Sequence, residues 1–497
     1  MNPRPVLAEA GGAPRESARA AALWNLGVLL AIAVLISWQL FVRPALSVAD
    51  NGDFPKIAGR YCIGPDPRIG DTYFAFTNLR WAISKEACWQ SHYRSSAELV
   101  VLVALGLDHL AGYAPAFDLR WMGAAYALLF LCFVAWAQRL LRSVRPATAR
   151  TLQVAFVLAV CNAVYIPLFN TFYMDTMALV TLVGALAGVA ALLLQEQVDR
   201  KTFWITCIAL GLLAGSKGQH GLLAVLCLPA LWIRRGREVF PPLWARGAAL
   251  ALIPILAVIA FQAVVPENEG QVTYNVLLYR ILPTVSNPRD YLREVHLPES
   301  YVRASGTYTY QLESPNHTAE SAIAFGHIFG YADLVKFYLR HPGQAWFMLM
   351  LNLDSASGDR VLNKMSGNET HAGNFEKASG KPAFTRSRFF MLWPAVKHRL
   401  TAGKPRVFLA YIVGLITLAW WLAPRRPGMR ALLAIFVAML AFSLGTSMMD
   451  GLDAGRHLQI FNFLLDLLAC GTAAFAAERF SLRSWRSRRP AIAGQPV

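Results

Sequence analysis

The sequence predicts an all-α polytopic membrane protein. Three observations carry that prediction: a mean hydropathy of +0.39 over 497 residues, apolar runs that recur near the roughly 20 residues needed to span a bilayer, and arginine clusters at the ends of those runs. The runs add up to about 10–11 transmembrane helices, with juxtamembrane helices in the first outer loop and a large outer loop region. The net charge of +17 does not indicate nucleic acid, because much of the arginine is concentrated in Arg139/Arg142/Arg145/Arg150, Arg234/Arg235/Arg237, Arg425/Arg426/Arg430 and the tail from Arg479 to Arg489. Clusters of this kind anchor and orient spans by the positive-inside rule.

Residues 1–20 are polar and lack the short apolar core and cleavage site of a signal peptide, so they read as a cytoplasmic tail before a retained first span, Ala21 to Phe41. Residues 42–95 form the first outer loop, with Cys62 and Cys88 able to close it by a disulfide on an oxidising face. The other cysteines lie in apolar runs and read as small hydrophobes. Ala97 to Leu110 is apolar but short. If it crossed fully, the cluster from Arg142 to Arg150 would fall outside, so it is expected to be juxtamembrane or partly inserted.

Trp121 to Leu141, Leu152 to Phe169, Met177 to Leu194, the hairpin Thr202 to Gly215 with Gly221 to Ile233, and Ala248 to Val265 complete an N-terminal transmembrane module, 21–265. The outer region, 266–404, contains Val335 to Pro342, expected to lie along the interface as an amphipathic helix, and Trp346 to Leu353, expected to press on the membrane core. A small independent domain is the competing reading. Pro405 to Leu422, Ala431 to Met448 and Gln459 to Phe475 form the C-terminal helices of 405–477, and 478–497 is a basic cytoplasmic tail.

This topology brings several polar tips to one face: Asp50, Asp53, Lys56 and Arg60 after the first span, Asp175, the tip Lys217-Gly218-Gln219-His220, and Arg456-His457. Ionisable groups at span ends are costly and are often kept for a function; snorkelling and ordinary loop charge are the bland alternative for any one of them. The stretch Asp53-Phe54-Pro55 also reads as a surface helix start, with Asp53 as N-cap and Pro55 in the first turn. Carboxylates beside cations suit a reaction in which a base takes a hydroxyl proton while a phosphate departs. With no nucleotide-binding glycine loop in the chain, the activated donor is expected to arrive in the lipid, as a polyprenyl-phosphate sugar does.

In the order of these tips the chain resembles the GT-C superfamily of membrane glycosyltransferases, including the lipid A aminoarabinose transferases, the protein O-mannosyltransferases and bacterial glycan-assembly hexose transferases. The resemblance covers the part up to about Ile233 and, more loosely, the final turn and span. It implies a GT-C-like bundle and an inverting hexosyl or pentosyl transferase in the bacterial inner membrane, with its active site facing the periplasm. It implies Asp53 as general base, with Asp50 in reserve, and Asp175 as the second-loop acid. Lys217 and Arg456 are implied donor-phosphate contacts, and Arg120 is the arginine opening the next span. Lys56 and Arg60 join the phosphate-binding set, and Gln219, His220, His457 and Arg120 the substrate-binding set. Here the first-loop acid stands in Asn-Gly-Asp-Phe, where relatives often carry adjacent acids.

The expected partners are the lipid-linked donor, a glycan, lipid or protein acceptor, and the bilayer. No cofactor is assigned; a divalent cation held by His220, His457, Asp450 and Asp453 is left open, without tight metal-ligand spacing. Two other classes compete. An O-antigen ligase or polymerase would lean on Arg340, His341, Arg360 and His371, and a flippase or transporter would carry charges midway along its spans. The Asn-X-Thr sequences at Asn316 and Asn368 match a glycosylation acceptor pattern that is common by chance.

Overall fold

A computed structural model describes residues 18–66, 70–89, 93–112, 116–232, 243–262, 266–358, 362–363 and 370–487. The expectations for Arg234, Arg235, Arg237, Arg360, Asn368, Arg488, Arg489 and residues 1–17 lie outside the described residues. The fold is the helical membrane bundle that the apolar runs predict. Seven helices are long and apolar enough to cross a bilayer: α1 (Ala18–Phe41), α4 (Arg120–Leu140), α6 (Asp175–Leu194), α10 (Leu243–Gln262), α17 (Pro405–Leu422), α18 (Pro427–Met448) and α19 (Ala454–Ser487), the last over its first 27 residues. The other apolar runs form shorter helices: α5 (Pro146–Val160), α7 (Arg200–Ala214), α8 (Gly218–Leu226) and α9 (Leu228–Trp232). The span expected over Leu152 to Phe169 stops at Val160, because Asn162 donates to the Ala159 carbonyl and accepts from the Val164 amide, diverting the backbone from the helix.

Helix α6 lies at the centre. Its apolar window is 83% buried, against 17% for α1, which fits a helix hydrophobic on every side. It packs on α4 and α7, where Gly184 and Gly188 leave room for Phe133 and Thr206. Its burial puts the first residue, Asp175, inside the protein at the mouth of the bundle.

The first loop holds α2 (Pro55–Ala58), a three-stranded antiparallel sheet of β1 (Ile63–Gly64), β2 (Arg80–Ile83) and β3 (Ala116–Asp118), and α3 (Ala97–Leu110). Trp81 of β2 stands opposite Phe117 of β3, and both are buried. Cys62 and Cys88 form a disulfide. At 14 residues α3 rises only about 21 Å, too short to cross. Leu99, Leu102 and Val103 point outward, while Ser95 and Ser96 bond the Ser216 and Leu212 carbonyls at the tip of the α7–α8 hairpin.

The segment after α10 builds α11 (Pro266–Tyr274), α12 (Pro288–Glu294), α13 (Ala319–Ile328), α14 (Tyr331–Arg340) and α15 (Pro342–Ser357) around a second core of Tyr274, Leu277, Phe325, Phe329, Leu334, Phe337 and Met348. A small core of its own is present, α14 buries Leu334 and Phe337 in it while exposing Val335 and Leu339, and α15 packs against α17, α18 and α19. A short hairpin, β4 (Leu362–Asn363) with β5 (Thr370–His371), precedes α16 (Leu392–Thr401). Lys397 of α16 pairs at 3.2 Å with Asp466 of α19, which also accepts from Tyr165 and Trp393, so a buried polar knot fastens α16 to the bundle.

Candidate active site

The site forms where two loops meet at the mouth of the bundle. After α1 the chain runs extended from Ala45 to Asp50 and is held by residues 373–374: the Ala49 amide donates to the Gly373 carbonyl at 2.8 Å, and Asn374 Nδ2 donates to Ser47 O at 2.7 Å. It then turns tightly. Asp50 Oδ1 accepts from the amides of Gly52 (2.7 Å), Asp53 (2.9 Å) and Phe54 (3.3 Å), and Gly52 takes φ +91°, which favours glycine. This corrects the expected cap. Phe54 occupies the N-cap of α2 and makes no side-chain cap bond; the Lys56 and Ile57 amides donate to the Asp53 and Phe54 carbonyls, and the Asp53 carboxylate turns elsewhere.

That carboxylate pairs with Lys56 at 2.6 Å on one side and with Arg456 on the other. Arg456 reaches it from the first turn of α19. Its Nη1 also donates to Asn51 Oδ1 at 3.2 Å, its Nε lies 3.0 Å from Asp453 Oδ2, and its guanidinium carbon lies 5.1 Å from the centre of the Tyr173 ring. Asn51 closes the bridge by donating from Nδ2 to Asp453 Oδ2 at 2.7 Å. The turn before α19 repeats the device of the first loop, with Asp450 Oδ1 accepting from the Leu452 and Asp453 amides. Asp450 Oδ2 lies 2.6 Å from His457 Nδ1, and His457 Nε2 is 3.2 Å from Arg456 Nη2.

The third part comes from α6 and the α7–α8 hairpin. Asp175 sits 3.1 Å from Lys217 Nζ and 2.7 Å from His220 Nε2, with all three side chains largely or fully buried.

Burial alone would favour neutral forms throughout; neighbouring groups overturn it for Asp53, Lys56 and Asp450 but not for Asp50 and Asp453. For Asp53, burial is outweighed by Arg456, Lys56 and Lys217, which hold its carboxyl well below the usual range. Burial works against charge on Lys56 too, but Asp53 keeps its ammonium above the ordinary value. Asp450 is held low against burial by His457 and two backbone amides. Asp50 behaves oppositely: burial, then the neighbouring Asp53, push it up to about 6 against its amide bonds. Burial also raises Asp453. Five carboxylates (Asp50, Asp53, Asp175, Asp450, Asp453) thus face three cations (Lys56, Lys217, Arg456) and two histidines, His220 and His457.

The structure gathers Asp50, Asp53, Lys56, Asp175, Lys217, His220, Arg456 and His457 into one cluster. Gln219 is at its edge, 3.4 Å from His220. Two expected members lie elsewhere. Arg60 pairs with Glu98 at 3.3 Å and the Tyr93 carbonyl at 2.7 Å, bracing the first loop against α3. Arg120 is engaged by Asp118, whose two oxygens lie 2.9 and 3.1 Å from its Nε. His220 and His457 pair with different carboxylates, and among the described residues no three His, Cys, Asp or Glu side chains converge as a metal site. Arg340 and His341, on which a ligase would lean, pair with Glu294 beside the second core.

Sequence reasoning missed Asn51 and Tyr173. Asn51 is flanked by the two acids it helps to organise. Tyr173, two residues before Asp175, bonds the Ala49 carbonyl at 2.8 Å while its ring lies beside Arg456. The outer region also reaches the site: Arg280 Nε donates to the Gly451 carbonyl at 2.6 Å, and a Cβ on Gly451 would lie 2.5 Å from the Asn275 carbonyl group, so only glycine lets the two loops close.

A helical membrane bundle with a buried acid–base cluster at one mouth defines the class: a multi-pass membrane protein with a polar site at the end of its spans. The chain belongs to the family described as the YfdI N-terminal transmembrane domain, whose model matches residues 15–492. No curated protein and no solved structure matches it.

Proposed function

We propose that this protein is an inverting membrane glycosyltransferase of the GT-C kind, moving a hexosyl or pentosyl unit from a polyprenyl-phosphate donor to a hydroxyl of a glycan, lipid or protein acceptor. The observation that carries the reading is the Asp53 carboxylate held between Lys56 and Arg456 at the mouth of the bundle. Asp53 takes the acceptor proton, and the acceptor oxygen attacks the anomeric carbon. The bond from that carbon to the phosphate oxygen breaks, and its electron pair leaves with the polyprenyl phosphate. Fixed cations stabilise the charge that grows on the leaving group.

The resting ion pair supplies a sequence of events. While Arg456 and Lys56 are both engaged by Asp53, its carboxylate is a poor base. A donor phosphate competes for the same two cations and for Lys217. As they turn toward it, the value of Asp53 rises and proton transfer becomes effective. Base strength is thereby tied to donor occupancy, which limits hydrolysis by stray water.

The Cys62–Cys88 disulfide supports an oxidising compartment on the site face. The exposed arginines Arg142, Arg145, Arg425 and Arg426 at the other ends of the spans support the cytoplasm there, hence a bacterial inner membrane with a periplasmic site. The outer region, which touches the site through Arg280, is the part with enough polar surface to choose the acceptor.

The test is the purified full chain in proteoliposomes with a radiolabelled polyprenyl-phosphate hexose and a bacterial envelope glycan. Covalent incorporation of label with release of polyprenyl phosphate supports the proposal. Movement of intact donor between leaflets without bond cleavage would replace it with transport.

A further inference from the structure

At the ends of α1, α4 and α5 opposite the Asp53 cluster, the helices leave a cavity of about 80 Å³. Its floor is a built amide network. Trp24 Nε1 donates to Gln153 Oε1 at 2.6 Å, Gln153 Nε2 donates to Asn25 Oδ1 at 2.9 Å, and Gln138 Nε2 donates to the Asn25 carbonyl at 3.2 Å. Gln138 and Gln153 are only 7% and 6% exposed, so these amides are structural and hold the cavity open at a fixed shape. Two arginines line it: Arg142, exposed, and Arg150, half-buried with its guanidinium 5.2 Å from the centre of the Trp24 ring. Among the described residues that line it none is a carboxylate, and Pro146, the first residue of α5, stands at the positive end of that helix beside the cavity. Beside it, Leu23, Leu26 and Leu30 of α1 stand exposed as a lipid-facing strip.

We infer that this cavity binds the phosphodiester headgroup of an anionic membrane lipid, with Arg142 and Arg150 as its phosphate contacts and its acyl chains along the Leu23–Leu30 strip. The chemistry recognised is a phosphate anion, and the adjoining apolar strip selects a lipid over a soluble phosphate. Snorkelling arginines need neither a cavity nor buried amides beneath them. The site is independent of the chemistry at Asp53.

The experiment uses the full chain, purified and delipidated in detergent, and measures thermal stability and lipid retention by native mass spectrometry. The probes are phosphatidylglycerol, phosphatidylcholine and inorganic phosphate. Phosphatidylglycerol should raise the melting temperature and remain bound, while phosphatidylcholine should do neither. Arg142→Ala and Arg150→Ala should each weaken retention about fivefold. The double substitution Arg425→Ala/Arg426→Ala removes as much charge as Arg142→Ala/Arg150→Ala, but from another exposed cluster on that face, and should leave retention unchanged. Equal weakening by the two pairs overturns the site in favour of general surface charge. An equal response to inorganic phosphate overturns the lipid as its ligand. Arg142 is exposed, so its substitution reports on binding even if Arg150→Ala folds poorly.

Discussion

Asp53 and Arg456, separated by 403 positions in the chain, meet as an ion pair at the mouth of the bundle, and each is delivered by the same local device. In Asp50-Asn51-Gly52-Asp53 and in Asp450-Gly451-Leu452-Asp453 the first aspartate folds back onto the amides two and three positions on, and the fourth faces Arg456. The first acid of each turn is spent on shape. The second is left for electrostatics, and Arg456 joins the two turns through Asn51.

Arg456 is accordingly the substitution with the widest consequences. Arg456→Ala removes the cation that Asp53 and Asp453 share, leaving Asp53 to Lys56 alone, and should destabilise the protein by about 3–5 kcal/mol. Arg456→Lys keeps one charge but loses the planar fork that reaches three acceptors, so it should fold and raise the donor KM by about tenfold or more. Exposed Arg426→Ala should stay within about 0.5 kcal/mol of wild type. Thermal unfolding in detergent and donor titration separate the three.

The raised value of Asp50 fixes a pH signature. Its folded-state value of about 6 lies above the ordinary 3.8, so between the two the native state holds more protons than the unfolded chain. Stability contributed by Asp50 is then present below about 3.8 and is lost as pH rises toward 6. Asp53 has the opposite sign: its depressed value contributes stability above its ordinary range that is lost on acidification. Asp50→Asn keeps an oxygen for the three amides and removes the titration, so it should gain stability relative to wild type as pH rises from 3.8 to about 6 and hold that gain above. Melting temperatures across this range check the sign. A constant difference would show that Asp50 does not titrate there.

The spans were legible because an apolar helix in lipid is dictated by length and composition, which Pro405–Leu422 illustrates by matching its run residue for residue. The gathering of Asp50, Asp53, Lys56, Asp175, Lys217 and Arg456 was legible because alternate span ends must share a face. Arg60 and Arg120 were misplaced for one reason: each is engaged by a carboxylate outside the cluster, Glu98 of α3 for Arg60 and Asp118 of β3 for Arg120, and nothing in hydropathy reports it. The sheet containing Trp81 and Phe117 was missed because strands of two to four residues are too short for an alternation pattern to declare itself. Tyr173 was missed because its importance lies in a partner far along the chain.

The two misplaced arginines yield a control. Arg120→Ala loosens the entry to α4 through Asp118 but leaves the cluster intact, so it should lower stability while the transfer rate per folded molecule stays near wild type. Rates normalised to folded protein would reveal a direct role if they fell as far as those of Arg456→Lys.

Gly451 tests the closure of the outer region on the site. Gly451→Ala drives a methyl into the Asn275 backbone and should cost about 1–3 kcal/mol, with reduced transfer as Arg280 loses the Gly451 carbonyl. Unchanged melting and activity would show that the two loops need not touch.

The most direct measurement is the transfer of radiolabelled sugar from a polyprenyl-phosphate donor into membrane glycan, comparing wild type, Asp53→Asn and Asp50→Asn at matched protein levels. With Asp53 as the base, Asp53→Asn should slow transfer by roughly 10²–10⁴ without unfolding the protein, and Asp50→Asn should retain most of the activity. Wild-type transfer by Asp53→Asn would contradict the assignment and leave the Asp53–Arg456 pair as a structural clasp between two turns.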